Sequence, residues 1–197
     1  NEYGERVVDV AGFQASRYLV SNAEFLEFVE AGGYRKDEFW LEEGLGWRKF
    51  AQAEHPTFWR KHPTGWHLRL MTHEVSMPWD WPVEVNYHEA KAFCQWKAAQ
   101  TGQPVRLPSE DGWYRLYDVS GVGEVALGQL ANANLHLDHY ASPCPVNRFA
   151  HGEFFDVVGN RAHADLIAQV TDGDIRHTVG AQLFPQHIAA GLQVGHV

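Results

Sequence analysis

The chain has 197 residues, 45% of them hydrophobic and 13% aromatic, enough for one domain with a real core or two small ones, and too apolar for a disordered segment. Its net charge of −9 speaks against a nucleic-acid or anionic-membrane surface, since both need clustered Lys and Arg. No run approaches the roughly 18 consecutive apolar residues that span a bilayer. The opening Asn1-Glu2-Tyr3-Gly4 lacks an initiator Met, a basic n-region and an apolar h-region, so no signal peptide is visible and the chain is expected to be cut from a longer protein. Cys94 and Cys144 are too few for a disulfide framework and sit in no Cys-x-x-Cys pair, so a reducing, cytoplasmic location is expected.

Arg6–Val10 reads as a short, partly alternating strand. Ser21-Asn22-Ala23-Glu24 reads as a capping box, with the Ser hydroxyl accepting from the Glu24 N–H and the carboxylate reaching back. The helix it opens carries Phe25, Phe28 and Val29 on one side and stops at Gly32-Gly33. Residues 34 to 81 show no long periodic run yet hold six of the eight tryptophans, so their aromatics are expected to pack as a core of their own or to line a site. Pro82–Val85 reads as a buried strand. Asn86 and Glu89 repeat the cap for a second helix, with Ala90, Phe93, Cys94 and Trp96 or Lys97 on successive turns and Gly102 closing it. Ser109 caps a third, whose apolar side is Trp113, Leu116 and Tyr117. Phe25, Phe28, Phe93, Trp96, Leu107 and Trp113 are therefore expected to be buried together. Few helices, short strands and much irregular structure make an α+β domain, without internal repeats.

Twelve histidines invite a metal reading, but no two are four apart, so the helical His-x3-His pair is absent. His136-Leu137-Asp138 fits two ligands of a 2-His-1-carboxylate site that would need one more distant His; His139 beside it points instead to a polar loop, and no metal ligand is assigned. His55 and His62 each precede Pro and read as extended loop residues. Gly121-Val122-Gly123 followed by Gly128 misses the G-x-G-x-x-G spacing and follows a helix rather than a strand. No Gly-x-Ser-x-Gly elbow occurs, neither cysteine has a nearby His, and Cys94 on the apolar side of its helix behaves as a small hydrophobe. Met71-Thr72-His73-Glu74 and His88-Glu89 contain acid–base pairs, but their neighbours predict a surface turn and a helix cap. Trp79-Asp80-Trp81-Pro82 sets a carboxylate between two large aromatics; it reads as a structural corner whose Asp satisfies local N–H groups, against an aromatic-walled site. Asn147 and Arg148, in the aperiodic run Cys144–Phe149, are the candidate substrate-binding residues, because an Arg fork takes an amino-acid carboxylate bidentately. The competing reading for Arg148 is an internal salt bridge.

Asn22–Tyr34 resembles the opening helix of the C-terminal, formylglycine-generating-enzyme-like domain of iron-dependent sulfoxide synthases, a variant of the C-type lectin fold. His55-Pro56-Thr57-Phe58-Trp59, Pro78-Trp79-Asp80-Trp81-Pro82, the run Pro82–Lys97 and Arg106-Leu107-Pro108-Ser109-Glu110 extend the match in order. Tyr140–Phe149 is similar to the branch that makes 5-histidylcysteine sulfoxide, the ovothiol precursor, rather than the ergothioneine branch. The resemblance implies a mononuclear non-haem Fe(II) enzyme that uses O₂ to join cysteine sulfur to the histidine imidazole as a sulfoxide. It also implies that the iron-binding histidines come from a preceding helical-bundle domain, so Fe(II) is expected to be held outside this chain.

The resemblance covers residues 1–160, an incomplete domain. Phe155–Asn160 leads towards the family's Gly-Asn-Val-Trp-Gln-Trp type motif and then turns into Arg161-Ala162-His163-Ala164. Residues 161–197 contain no Trp, no Tyr and a single aromatic, Phe184, and lack the family's Arg-Gly-Gly-Ser run and closing Gly-Phe-Arg. A reading-frame change, a mis-joined gene end or divergence would produce such a tail, which is expected to pack poorly or take improvised structure. No catalytic residue is carried over, and the isolated chain is expected to be inactive. The alternatives are a piece of an ergothioneine-type synthase and a non-catalytic ligand-binding or interaction module on the same fold. A third, another formylglycine-type enzyme, would want reactive cysteines that Cys94 and Cys144 do not match.

Overall fold

The computed structural model describes residues 6–121, 133–134, 140, 143–158, 170–171, 178–179 and 182–186. In chain order they form β1 (Arg6–Val10), β2 (Phe13–Ala15), α1 (Asn22–Glu30), a 3₁₀ turn (Asp37–Phe39), α2 (Glu42–Ala51), β3 (Trp59–His62), β4 (Gly65–Arg69) and β5 (Glu74–Ser76). Then come α3 (Tyr87–Thr101), β6 (Val105–Arg106), α4 (Glu110–Val119), β7 (Ala150–His151), β8 (Phe154–Phe155), β9 (Val170–Thr171), β10 (Thr178–Val179) and β11 (Gln182–Gln186). The strands pair antiparallel in four small sheets: β1 with β11, the order β10-β2-β9-β6, β3-β4-β5, and the hairpin β7-β8. This is the expected α+β mixture. Although residues 161–197 carry no hydrophobic period, those described among them take strand positions, with β11 in register against β1 from Arg6↔Gln186 to Val10↔Gln182.

Three helices start where their caps predict. Ser21 accepts from the Glu24 N–H at 3.2 Å, and Ser109 from the Gly112 N–H at 3.1 Å. Asn86 and Glu89 form the full reciprocal box, and Gly102, in the left-handed conformation at φ 69°, ends α3. At α1 the Glu24 carboxylate is turned outward onto Lys97 Nζ, 2.9 Å away on α3, and ties the two helices together.

The main core lies between α1, α3 and the aromatic stretch before α3. Phe25 stacks on Phe93 with ring centroids 5.2 Å apart, Phe28 meets both edge-on, and Trp59, Val20 and Val83 complete a fully buried centre. Each such side chain contributes about 1.5–3 kcal/mol from burial. Trp96 and Leu107 join this core as expected. Trp113 does not: it is half-buried on α4 against Tyr114 and Tyr117, beside a second, smaller core of Phe13, Ala15, Leu116, Phe154 and Val157.

Two further expectations change. Residues 34–81 contain the helix α2 and the three-stranded sheet, and His62, read as loop, ends β3 opposite Gly65 with the extended backbone that a following Pro favours. Pro82–Val85 is no strand beyond a single bridge from Pro82 to Ser21: Pro82 has no N–H to donate, and the Val83 N–H goes to Val20 O at 2.9 Å. His88-Glu89 belongs to the helix cap that was expected, and the cap's Glu89 is buried. Glu89 is 1% exposed, accepting from the Asn86 N–H at 2.8 Å and from the Tyr34 hydroxyl at 2.5 Å. Burial pushes its carboxyl up to about 6 against the pull of those two bonds.

Candidate functional site

The corner Pro78–Pro82 anchors the region. A helix start leaves its first N–H groups without intrahelical partners. Here the Trp81 carbonyl accepts from the Asn22 N–H at 2.8 Å and the Trp79 carbonyl from the Ala23 N–H at 2.9 Å, next to Ser21 on Glu24. Main-chain carbonyls thus do what was expected of the Asp80 carboxylate. The fully buried Asn22 side chain locks the arrangement, donating to Pro78 O at 2.9 Å and accepting from Trp59 Nε1 at 3.2 Å. From the outer side, the Asp80 carbonyl accepts from the Val146 N–H at 2.8 Å and holds the Cys144–Phe149 loop on the corner.

That loop carries the two predicted substrate residues. Pro145 O accepts from the Arg148 N–H at 3.1 Å in a tight turn, which leaves the Asn147 and Arg148 side chains exposed. No ion pair to Arg148 occurs among the described residues, so the internal salt bridge is not formed there. Cys144 beneath is fully buried; burial, reinforced by the Asp156 carboxylate and opposed by Arg148, pushes its thiol up to about 12. Cys94 is likewise pushed up to about 12 by burial. Neither thiol is in a disulfide and both are held protonated, the state of structural rather than nucleophilic cysteines.

Past the loop, the Asp156 N–H returns to Phe149 O at 2.8 Å and the Phe155 N–H reaches Arg17 O at 3.0 Å, which folds β7 and β8 over β2. Between them and α4 lies a small, half-open cleft, walled by Tyr18, Trp113, Leu116, Phe154, Phe155 and Asp156. Tyr18 and Phe155 pack at 4.8 Å, and the Arg17 guanidinium lies over both rings, 5.8 and 5.4 Å from their centroids. Asp156 is 1% exposed, with a backbone φ of 52° that non-glycine residues seldom adopt. The cleft is therefore a small notch with mainly aromatic walls, and the carboxylate oxygens of Asp156 are themselves buried.

Asn147 and Arg148 do not line the cleft; they stand on the adjoining loop, close enough for Arg148 and Asp156 both to act on Cys144. Met71–Glu74 is an exposed turn, with Thr72 Oγ1 3.0 Å from His73 Nδ1 and Glu74 Oε2 2.9 Å from His62 Nε2. His136 and Asp138, and Gly123 and Gly128 of the glycine run, lie outside the described residues. Among the described residues no three His, Cys, Asp or Glu side chains are placed to hold a metal ion, and no helix is long and apolar enough to cross a membrane. Sequence reasoning missed Tyr18 and the Phe154–Val157 wall. The signal was Phe154-Phe155-Asp156, two aromatics and a carboxylate three residues before Gly159-Asn160.

The family model for the sulfatase-modifying factor enzyme 1-like domain matches residues 1–117. Over 114 residues the chain is 39% identical to a hercynine oxygenase of Mycolicibacterium thermoresistibile, and over 115 residues 37% identical to one of Mycobacterium tuberculosis. A third hercynine oxygenase, from Mycolicibacterium smegmatis, is 37% identical over 114 residues. These alignments take in 57% of this chain but only 24–25% of the relatives, so the chain spans about a quarter of their length.

Proposed function

The chain belongs to the sulfatase-modifying factor enzyme 1-like family, with its α+β, C-type-lectin-like fold, and from that premise we propose that it is part of a sulfoxide synthase that joins a cysteine sulfur to the imidazole of a histidine-type substrate. The observation that carries this reading is the 39% identity to a hercynine oxygenase over 114 residues. Bound Fe(II) would supply O₂ activation in the complete enzyme. The described residues offer no ligand set for it, and the metal's ligands are assigned to a helical-bundle domain outside this chain. The share of this chain is substrate binding and shape. Arg148, exposed with Asn147 beside it, would take a substrate carboxylate bidentately.

Two substrates divide the reading. Tyr140–Phe149 favours histidine, the ovothiol-type substrate, whereas the names of the relatives favour hercynine, a histidine with a trimethylated amine. The domain is taken as residues 1–160, with 161–197 a continuation foreign to the family; re-reading the coding DNA around Asn160 in three frames tests that boundary. For the activity, the chain is mixed with a helical-bundle domain of a synthase, Fe(II), O₂, cysteine and either histidine or hercynine, and the sulfoxide is followed by mass spectrometry. The chain as it stands is expected to be inactive, and replacing the sequence after Asn160 with a Val-Trp-Gln-Trp continuation is expected to restore turnover, which Arg148→Ala then lowers. No product with either substrate after that repair sinks the proposal.

A further inference from the structure

Tyr34 is 4% exposed, and its hydroxyl donates to Glu89 Oε1 at 2.5 Å in an otherwise apolar core. Its ring lies 5.5 Å from that of Trp40, centroid to centroid, and Trp40 lies 6.1 Å from Trp47, which is half-buried at the surface with His88 stacked on it at 6.2 Å. We propose that Tyr34 is a redox-active tyrosine, that Glu89 receives its proton, and that Trp40 and Trp47 carry the oxidising equivalent between it and the surface. This goes beyond the synthase reading and does not depend on it.

The chemistry of each step is set by its surroundings. A one-electron oxidant at the surface takes an electron from Trp47, and neighbouring aromatic rings at these separations pass the vacancy inward in short steps. Trp40 is a relay rather than a resting place. Its indole N–H donates to the Gly33 carbonyl at 2.8 Å, which is no base, so oxidised Trp40 keeps its proton and remains a cation. The Arg48 guanidinium, itself paired with Asp37, lies over that ring 5.4 Å from the centroid and disfavours a further positive charge there. Tyr34 differs because a base is already in contact. It loses one electron to the relay and its phenolic proton to Glu89, leaving a neutral tyrosyl radical and a neutral carboxylic acid. The oxidant is reduced by one electron, and Glu89 no longer carries a charge in the core. The step removes a buried charge, so burial favours it. The other tryptophan group, Trp59 with Trp66 and Trp79, has no such trap: the Trp59 N–H donates to the amide of Asn22.

The test oxidises the full 197-residue chain with tris(bipyridyl)ruthenium(III), generated by a laser flash in the presence of a cobalt(III) acceptor, and follows radicals by transient absorption and electron paramagnetic resonance. An indole radical should appear first and be replaced by a neutral tyrosyl radical whose rise is slower in D₂O. Tyr34→Phe should abolish that tyrosyl signal and leave the indole radical. Trp40→Phe should suppress it although Tyr34 is present, and Glu89→Gln, which removes the base but keeps the side chain's shape, should suppress it or remove its solvent isotope effect. The three variants report independently, so one that fails to fold leaves the others decisive. Absence of a tyrosyl radical in the unmodified chain, or one unchanged in the folded variants, overturns the proposal.

Discussion

Replacing Glu89 by Gln should stabilise the protein above neutral pH and do nothing in acid. Glu89 is buried, and its carboxyl sits at about 6 in the fold against 4.5 for the free group. At about 1.36 kcal/mol per pH unit, that difference is roughly 2 kcal/mol. A raised carboxyl binds its proton more tightly in the native state than in the unfolded chain. Stability therefore falls as pH rises from about 4.5 to about 6, and the full cost persists above that. Gln is a permanent stand-in for the protonated acid: its oxygen takes the Asn86 N–H, and its amide donates to the Tyr34 oxygen. Urea melts of both proteins should therefore coincide near pH 4 and differ by about 2 kcal/mol near pH 8, with the variant the more stable. Glu89→Ala is the control. It strands a helix-cap donor and a buried hydroxyl together, and should cost about 2–4 kcal/mol near pH 4 and about 2 kcal/mol less near pH 8, where only the wild type carries the penalty of the charged carboxylate. A difference between wild type and Glu89→Gln that stays flat with pH, or that favours the wild type at high pH, would refute this account of the buried carboxylate.

Gly33→Ala should destabilise by about 1–3 kcal/mol or more, because its Cβ would sit 2.1 Å from Cε2 of Phe28, a ring with no room to move; an unchanged melt would show that this turn gives way easily. Native Cys94 and Cys144, with thiols pushed up to about 12, should resist an aromatic disulfide reagent near pH 8 and react at once in denaturant; rapid labelling of the folded chain would contradict their burial. Trp59→Ala should cost about 3–5 kcal/mol, and Trp113→Ala clearly less, since Trp59 is fully buried whereas Trp113 stands half-exposed at the cleft; equal losses in denaturant melts would place Trp113 in the main core after all.

The helices divide cleanly into those that could be read from the chain and one that could not. Ser21, Asn86 and Ser109 each put a side-chain oxygen on the N–H three residues on, a signal written at fixed spacing, and α1, α3 and α4 begin there. The N-cap of α2 is Leu41, which makes no side-chain cap, and its run carries Gly44 and Gly46, which read as breakers. Gly44 is there for tertiary reasons: a Cβ would come 3.2 Å from His88 Cβ and 3.4 Å from the Trp40 ring, so a small residue lets α2 approach α3. The sheet β3-β4-β5 did carry its alternation, with Trp66 and Leu68 inward between His67 and Arg69. Its strands are so short that two prolines and the turn at Gly65, φ 117°, dominated the pattern.

The cleft was illegible for a different reason. Arg148 and Asn147 stood out because a guanidinium in an ordered loop is a local chemical signal. Tyr18, Trp113, Leu116, Phe154 and Val157 come from three separate stretches, and each reads locally as an ordinary apolar residue bound for a core. They line a slot at the edge of the smaller core around Phe13 and Leu116, where a residue such as Trp113 is left with one face uncovered. Such a space arises where separate stretches of chain meet, and no spacing within any one of them records it. Asp156 alone bears a local mark, a carboxylate after two phenylalanines at a backbone conformation that is costly without glycine. The buried Asp156 lies in the wall of the cleft, whereas the conspicuous Arg148 stands outside it on the exposed adjoining loop.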